Sequence, residues 1–485
     1  MTDATVTTAP PPPPEPMPTQ PPPAQRKSFL ARIGLDRPEL RAWAMYDWAN
    51  SAMVLTIMTA VFPIYYVTVA GEGFSEAAAN GRFALCNSIA KIIPAILSPI
   101  LGAIADARAN RKRMLGTWMG IGVTAVIGLW FIHAGDIALA SMLFVIASVA
   151  VSVSFVFYES LLPHIASDAE MDRVSTAGYA LGYIGSGILL TLNLLWISKP
   201  QWFGMADASV ASRFSFVSVG IWWLVFSIPL LRRVPEPPKS PAPQGTGGNA
   251  FTQPFISLGH TLRELVTTYR QTLLMIVAFF IYNDGIVTII TMAAPYGAEL
   301  GFRPSVMITS LLVVQFVGIP FAFAFGLLAD RIGTKPSILI GLAAYAGITI
   351  YGFFMRTETQ FIVLSLLVGT VQGGTQALSR SMFARMVPRH KSGEFFGFFS
   401  VFNRFGGIMG TGVFALMALL VNQSRYAILS LIAFFIVGAI LLWFVDVEKG
   451  ERAARANDPA PVPRGPQPIP PIASAPAIPP SPPDH

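Results

Sequence analysis

The chain is 485 residues long, 53% hydrophobic and only 12% charged, with a formal charge of +7; a soluble domain carries about 25% charged residues. That shortage excludes an ordinary soluble domain. The basic residues sit in small groups beside long apolar runs and not in one stripe, which excludes a nucleic-acid surface, and the lone Cys86 excludes an intrachain disulfide or a cysteine metal site.

Residues 1–25 are rich in Pro, Thr and Ala and cannot bury enough apolar surface to offset their ordering entropy, so a disordered tail is expected over 1–41, with no signal peptide. Six apolar runs then read as membrane helices near 43–68, 82–105, 114–133, 137–157, 175–197 and 213–231. A polar linker over 232–270 follows, Pro- and Gly-rich at first. It ends in Phe255, Leu258, Leu262, Leu265 and Val266 at helical spacing, which fits an interfacial helix or a short linker helix without membrane contact. Six more runs lie near 271–296, 304–328, 336–355, 360–382, 396–420 and 425–445, and a second disordered Pro-rich tail is expected over 447–485. The runs are continuous and do not alternate, which excludes a β-barrel. The expected fold is therefore an all-α membrane protein of twelve transmembrane helices, with bundles over 42–231 and 271–446.

Orientation follows from the loops. Arg108, Arg111, Lys112 and Arg113, then Arg232, Arg233 and Lys239, Arg331 and Lys335, and Arg385, Arg389 and Lys391 all fall on one side, whereas Arg303, Arg356 and Arg425 stand nearly alone on the other. The positive-inside rule puts both termini in the cytoplasm, in the cytoplasmic membrane of a bacterium.

Two helix ends repeat. GAIADARANRK at 102–112 aligns with GLLADRIGTKP at 326–336, pairing Gly102 with Gly326, Asp106 with Asp330 and Arg111 with Lys335. Each follows the second run of a half, as an internal duplication requires. The glycine permits close helix approach, and the acid suits the positive end of a neighbouring helix. The second copy, with Asp330, Arg331, Gly333 and Lys335, resembles the loop signature G-x-x-x-D-R-x-G-x-K of the major facilitator superfamily; the first carries Ala107 and Ala109 at two of its positions. The resemblance implies two pseudo-symmetric six-helix bundles, latched on the cytoplasmic side with Asp106 facing the start of the eleventh span near Glu394 and Asp330 facing the start of the fifth near Ser175. The alternative is an ordinary charged turn.

A narrower resemblance lies in Ala44-Met45-Tyr46-Asp47-Trp48-Ala49-Asn50-Ser51-Ala52, in Ile281-Tyr282-Asn283-Asp284-Gly285 and in the Gly369–Ser381 string. These segments look like the vacuolar amino-acid effluxer family first described through autophagy, together with its bacterial relatives. That implies efflux or exchange of small solutes, amino acids among them.

Ionisable residues inside hydrocarbon cost about 2.5–3.5 kcal/mol each on insertion scales and are functional candidates by default. Here they are Asp47, Lys91, Asp284, Arg380 and Arg404, with Glu159 at a span end. Asp47 with Asn50 and Ser51, Asp284 with Thr288 and Thr291, and Gln372 with Gln376 and Arg380 form polar stripes at helical spacing. Asn283 adjoins the second. The superfamily resemblance places three of these stripes on cavity-lining spans. Asp284 with Arg380 or Lys91 would hold a zwitterion, and Asp47 or Asp284 would carry a proton. The plainer alternatives are a dipole-stabilised Asp47, a snorkelling Arg380, and structural pairing of Lys91 and Arg404.

No phosphate-cradling loop, nucleophile elbow or metal spacing of histidines occurs, so no cofactor, metal or catalytic residue is expected. The reading is a monomeric secondary transporter of a small-molecule substrate, gradient-coupled with protons as the candidate ion, seated in a lipid bilayer. Its rivals are a drug efflux carrier, an intramembrane lipid enzyme and a non-transporting receptor or scaffold.

Overall fold

A computed structural model describes residues 28–240, 253–421 and 424–458. The expected disorder of 1–25 and the end of the Pro-rich tail lie outside these residues. Eleven helices among them are long and apolar enough to cross a membrane. They are α1 (Pro38–Ala70), α2 (Glu76–Arg108), α3 (Arg111–Phe131), α4 (Ile137–Ile165), α5 (Met171–Ser198), α6 (Ala208–Arg233), α7 (Arg270–Glu299), α8 (Pro304–Ile332), α9 (Thr334–Phe354), α10 (Glu358–Arg385) and α12 (Arg425–Trp443). The remaining span, α11, is split into Ser392–Phe405 and Ile408–Val421. Phe354, Leu420 and Trp443 are each more than 60% exposed, which is tolerable only where the surrounding solvent is hydrocarbon.

The spans form two six-helix bundles, α1–α6 and α7–α12. The seam between them runs along α2 and the first half of α11, and along α5 against α8 and α10. Small residues allow the close approach. A Cβ on Gly102 would lie 2.1 Å from the Gly393 carbonyl oxygen, and one on Gly326 would lie 2.4 Å from the Thr176 hydroxyl. Along α2 the packing changes at one point. Leu85, Ile89, Ile92 and Ile96 are exposed, whereas Ser98, Pro99, Gly102, Ala103, Ala105 and Asp106 are buried. The bundles therefore meet on the side of the molecule that carries both terminal segments, hereafter the terminal face, and part on the opposite side.

The structure departs from the sequence reading in three places. First, α11 does not run continuously over 396–420: Gly407 takes a φ of +87° and interrupts the helix. A Cβ there would press to 2.7 Å on Val287, so the break needs glycine. Second, α1 carries two π-helical stretches, Val54–Ala60 and Tyr66–Ala70, on either side of Pro63, which has no N–H to continue the ladder. Third, the chain after 447 is not tail from its start. Val447–Ala456 forms a helix capped by the Asp446 side chain and seated on the terminal face with Gly450 and Ala454 buried, Glu451 on Arg385 and Arg455 on Asp168. Its charged residues look like tail until their partners, distant in sequence and as far as 287 residues away for Arg455, are known. The segment read as tail to residue 41 likewise holds the short helix Phe29–Arg32 and the start of α1 at Pro38, whereas the linker helix, Gln253–Thr267, lies where the spacing predicts one.

The two repeat loops both take a positive φ at the corresponding position but differ in ψ, which is +49° at Ala109 and +158° at Gly333. Gly333 has φ +91°, and its counterpart Ala109 has φ +50°. A left-handed alanine costs about 1–2 kcal/mol, part of which glycine returns in unfolded-state entropy. Ala109→Gly is expected to raise stability by about 0.5–1 kcal/mol, read as an increase in the melting temperature of the purified protein; an unchanged or lower value would refute strain at this turn.

Candidate functional site

The two repeat elements bolt the terminal face in different ways. Asp106 ends α2, where its carboxylate accepts the N–H groups of Gly393 (3.1 Å) and Glu394 (3.0 Å) at the start of α11, while Arg111 clamps it from its own bundle (2.6 Å). An acid at a helix N-terminus meets orphan N–H groups and the positive end of the helix dipole. Glu394 in turn accepts from Ser257 and Thr261 of the linker helix. In the second copy Asp330 meets no N–H groups at the start of α5. It pairs with the Arg173 side chain at 2.7 Å, partly exposed. The buried acceptor there is Asp172, which takes Ser381 (2.5 Å), Arg385 (2.8 Å) and Thr334 (2.6 Å) from the other bundle. Arg331 is exposed, Gly333 forms the turn, and Lys335 donates to the carbonyls of Trp443 and Val445 at the end of α12.

Asp168, in the α4–α5 loop, joins this face through Arg455 (2.7 Å) and Arg389 (3.4 Å). Partial burial raises its carboxyl, but the bonds to the two guanidinium groups outweigh burial and hold it below the usual carboxylate range.

One layer deeper, Arg380 of α10 crosses into the other bundle. It donates to Asp47 (3.1 Å) and to the Ser175 hydroxyl and carbonyl (both 3.0 Å), and its guanidinium lies 4.8 Å from the Trp43 ring and 4.7 Å from Tyr179. Guanidinium tolerates such burial because it is weakly hydrated and stacks on aromatic faces. Asp47 and Arg380 are thus brought together, and neither is a mere helix-end or snorkelling residue.

Above this plug lies a small polar cavity, lined by Glu159, Tyr179, Asn283, Gln376, Arg380 and Asn403 with the rings of Phe279 and Phe399. Asn283 donates to Asn403 (3.1 Å). The structure moves Asp284 off the cavity wall. It is fully buried, and its carboxylate accepts the N–H groups of Gly407 (2.5 Å) and Gly410 at the start of the second half of α11, with Thr288 buried beside it. The helix break exposes those N–H groups, and a buried acceptor is needed for them. Asn50 and Gln372 are also outside the lining: both polar atoms of Asn50 and Oε1 of Gln372 are buried without a partner.

Asp172, Arg385, Asp168 and Arg455 were missed as functional residues, because charges at span ends read as topology determinants. The position of Glu159 at a span end concealed that it is 8% exposed on the cavity wall.

The chain matches the family described as vacuole effluxer Atg22 like over residues 73–172 and 167–455. It belongs to this family. It is 35% identical over 427 residues to the uncharacterized MFS-type transporter YxiO of Bacillus subtilis (strain 168), a match covering 87% of this chain and 98% of that protein. With autophagy-related protein 22 of Yarrowia lipolytica (strain CLIB 122 / E 150) it shares 26% identity over 309 residues, spanning 58% of this chain and 51% of the fungal protein. The fold is that of the major facilitator superfamily. The transporter FucP in its outward conformation aligns with a TM-score of 0.64 at 13% identity over 85% of this chain and 99% of that one. The proton:xylose symporter XylE aligns with a TM-score of 0.63 at 15% identity over 88% and 98%. This Atg22-family protein is an integral membrane transporter, not an enzyme.

The terminal-face bolts give a prediction for the Atg22-like carrier. Spin labels at Arg108→Cys and Arg331→Cys, both exposed on that face but in different bundles, report its opening in a Cys86→Ser background. Asp168→Asn is expected to lengthen the label distance in a measurable fraction of molecules at neutral pH. In the wild type the depressed carboxyl keeps the face closed above the ordinary aspartate pKa of about 3.9, and the stabilisation is lost as pH falls through the lowered folded value. A distance distribution unchanged by Asp168→Asn would refute this role.

Proposed function

We propose that the protein carries small zwitterionic solutes, amino acids among them, by alternating access, in efflux or exchange, with both termini in the cytoplasm. The observation that carries this reading is where the bundles touch. Among the described residues every hydrogen bond or ion pair between them, from Ser186 with Gln315 near the middle of the spans to Arg455 with Asp168 at the end, lies at the midplane or on the terminal face. Such a molecule is shut on one side, parted on the other, and holds a polar cavity between. Rocking of one repeat against the other about a midplane site is the motion this supports.

The basic loops on the terminal face make it cytoplasmic, so the state is outward-facing. Opening to the cytoplasm requires Arg380 to leave Asp47 and its aromatic cage, and Asp47, once freed, is the group placed to take a proton. Asp284 is a poorer candidate, since both its oxygens serve the helix break. The lining sets Glu159, Asn283, Gln376, Arg380 and Asn403 against only three aromatic rings, which favours a small polar cargo over an amphipathic drug. The word effluxer in the family's description supports the direction.

The test is radiolabelled amino-acid flux in proteoliposomes with and without an imposed pH gradient. Arg380→Ala leaves Asp47 as an unpaired buried charge, a loss of about 3–5 kcal/mol, and is expected to cut flux at least tenfold. Asp284→Asn replaces one acceptor oxygen by a donor facing N–H groups, costs about 1–3 kcal/mol, and is expected to lower both the melting temperature and flux. Absence of amino-acid flux in the wild type removes the zwitterion reading, normal flux in both variants removes the roles given to Arg380 and Asp284, and flux indifferent to the pH gradient removes the proton.

A further inference from the structure

The charges within the spans, most of them buried but Lys91 exposed and Arg404 partly so, can be sorted by whether they have a partner. Asp47 and Arg380 hold each other, Asp106 holds Arg111 and two N–H groups, Asp172 holds Arg385, and Asp284 is spent on the broken helix. Among the described residues three groups are left over.

Glu159 of α4 lies on the cavity wall and receives no hydrogen bond; the charges around it are Arg380, already taken by Asp47, and Arg404. Arg404 of α11 sits just before the helix break and reaches across to α4. It finds there only the Ser152 carbonyl at 3.5 Å and the face of Phe155 at 5.8 Å, and its Nε is buried without an acceptor. Lys91 stands at the middle of α2, on the stretch where the bundles part, with no hydrogen bond. Its charged neighbours are Arg404 and Asp284 of the opposite bundle, so it faces that bundle across the gap.

Glu159 and Arg404 lie within each other's field yet form no ion pair. Glu159 lines the cavity and Arg404 follows the lining residue Asn403; two opposite charges left apart in such surroundings, one on each bundle, are costly unless a third body spans them. Lys91 adds a second cation. The free charges are thus two positive and one negative, since the Asp284 carboxylate is matched by the α11 N–H groups. We propose that the transport site selects net-anionic amino acids: the ammonium on Glu159, one carboxylate on Arg404 and a second acidic group on Lys91. A neutral amino acid would leave Lys91 unmatched, and a cationic one would add a third positive charge to the gap between the bundles that Lys91 and Arg404 face. A solute binding this way joins α4 of one bundle to α11 of the other, at the level where rocking must be transmitted.

This inference rests on the zwitterion reading above, and the test separates the two. The purified full-length protein is titrated with L-glutamate, L-leucine, L-lysine and glutarate, which lacks the ammonium, and binding is read by thermal stabilisation. Glutamate is expected to bind at least tenfold more tightly than leucine or lysine. Lys91→Gln should lower the glutamate-to-leucine affinity ratio at least tenfold, and Glu159→Gln should lower the glutamate-to-glutarate ratio by a similar factor. Arg404→Gln should weaken glutamate and glutarate alike. A change of fold stability alone moves no such ratio. Preference for leucine or lysine, or ratios unmoved in Lys91→Gln and Glu159→Gln, overturns the anionic assignment and leaves the zwitterion carrier standing. If none of the four probes stabilises the wild type and none is carried into proteoliposomes, the zwitterion carrier falls as well.

Discussion

A charge in hydrocarbon costs several kilocalories per mole unless something neutralises it, and this chain places Asp47, Lys91, Glu159, Asp284, Arg380 and Arg404 inside its spans. The architecture follows from how that cost is met. Where an acid and a base come from different bundles, as with Asp47 and Arg380 or Asp172 and Arg385, satisfying them requires the bundles to be together. Where a carboxylate is matched by backbone N–H groups, as Asp106 is at the start of α11, the same holds. The closed face is therefore held by groups that are expensive to separate in a dry seam and inexpensive once water enters. That is the energetic shape of a gate: closed or flooded, with little favourable in between.

The gradation of these contacts along the membrane normal has a purpose in such a machine. The outer pairs, Asp168 with Arg455 and Asp330 with Arg173, are about a quarter to two-fifths exposed and contribute little each. The deeper ones are nearly dry, so the deep layer decides whether the face is closed and the outer layer tunes how often it tries to open. The C-terminal helix belongs to the tuning layer. It grips the loop after α10 through the Arg385 and Val387 carbonyls and reaches the other bundle through Asp168.

Much of this was legible in the sequence. The spans, the six-plus-six division and the repeat at Gly102 and Gly326 rest on local signals, namely apolar run length and a constant offset, which read correctly without knowledge of contacts. Asp47 and Arg380 stood out because a charge within an apolar run has few explanations. The rest depended on partners distant in sequence. Nothing local distinguishes Arg385 or Arg455, which clamp the two bundles, from Arg232 or Arg452, which mark the loop side. Glycines in α11 read as close packing, and only the pairing with Asp284, about 120 residues earlier, makes Gly407 a helix break. The repeat itself misled in one respect: Asp330 was read as the counterpart of Asp106, but the buried acceptor of the second seam is Asp172, on the opposite bundle.

The break in α11 explains why the Asp284 stripe of one bundle does not line the cavity. A helix that crosses a membrane unbroken offers no backbone group to a ligand. By splitting at Gly406 and Gly407, α11 frees N–H groups in mid-membrane, and in this state Asp284 occupies them. That occupation fixes the direction in which the first half of α11 leaves the break, and so fixes where Arg404, three residues before it, can reach. The carboxylate that looked like a ligand for the solute is better understood as the support that aims Arg404 at α4. Its negative charge is spent on backbone, and among the described acids within the spans Glu159, on the cavity wall, is the one left without a hydrogen bond or ion pair.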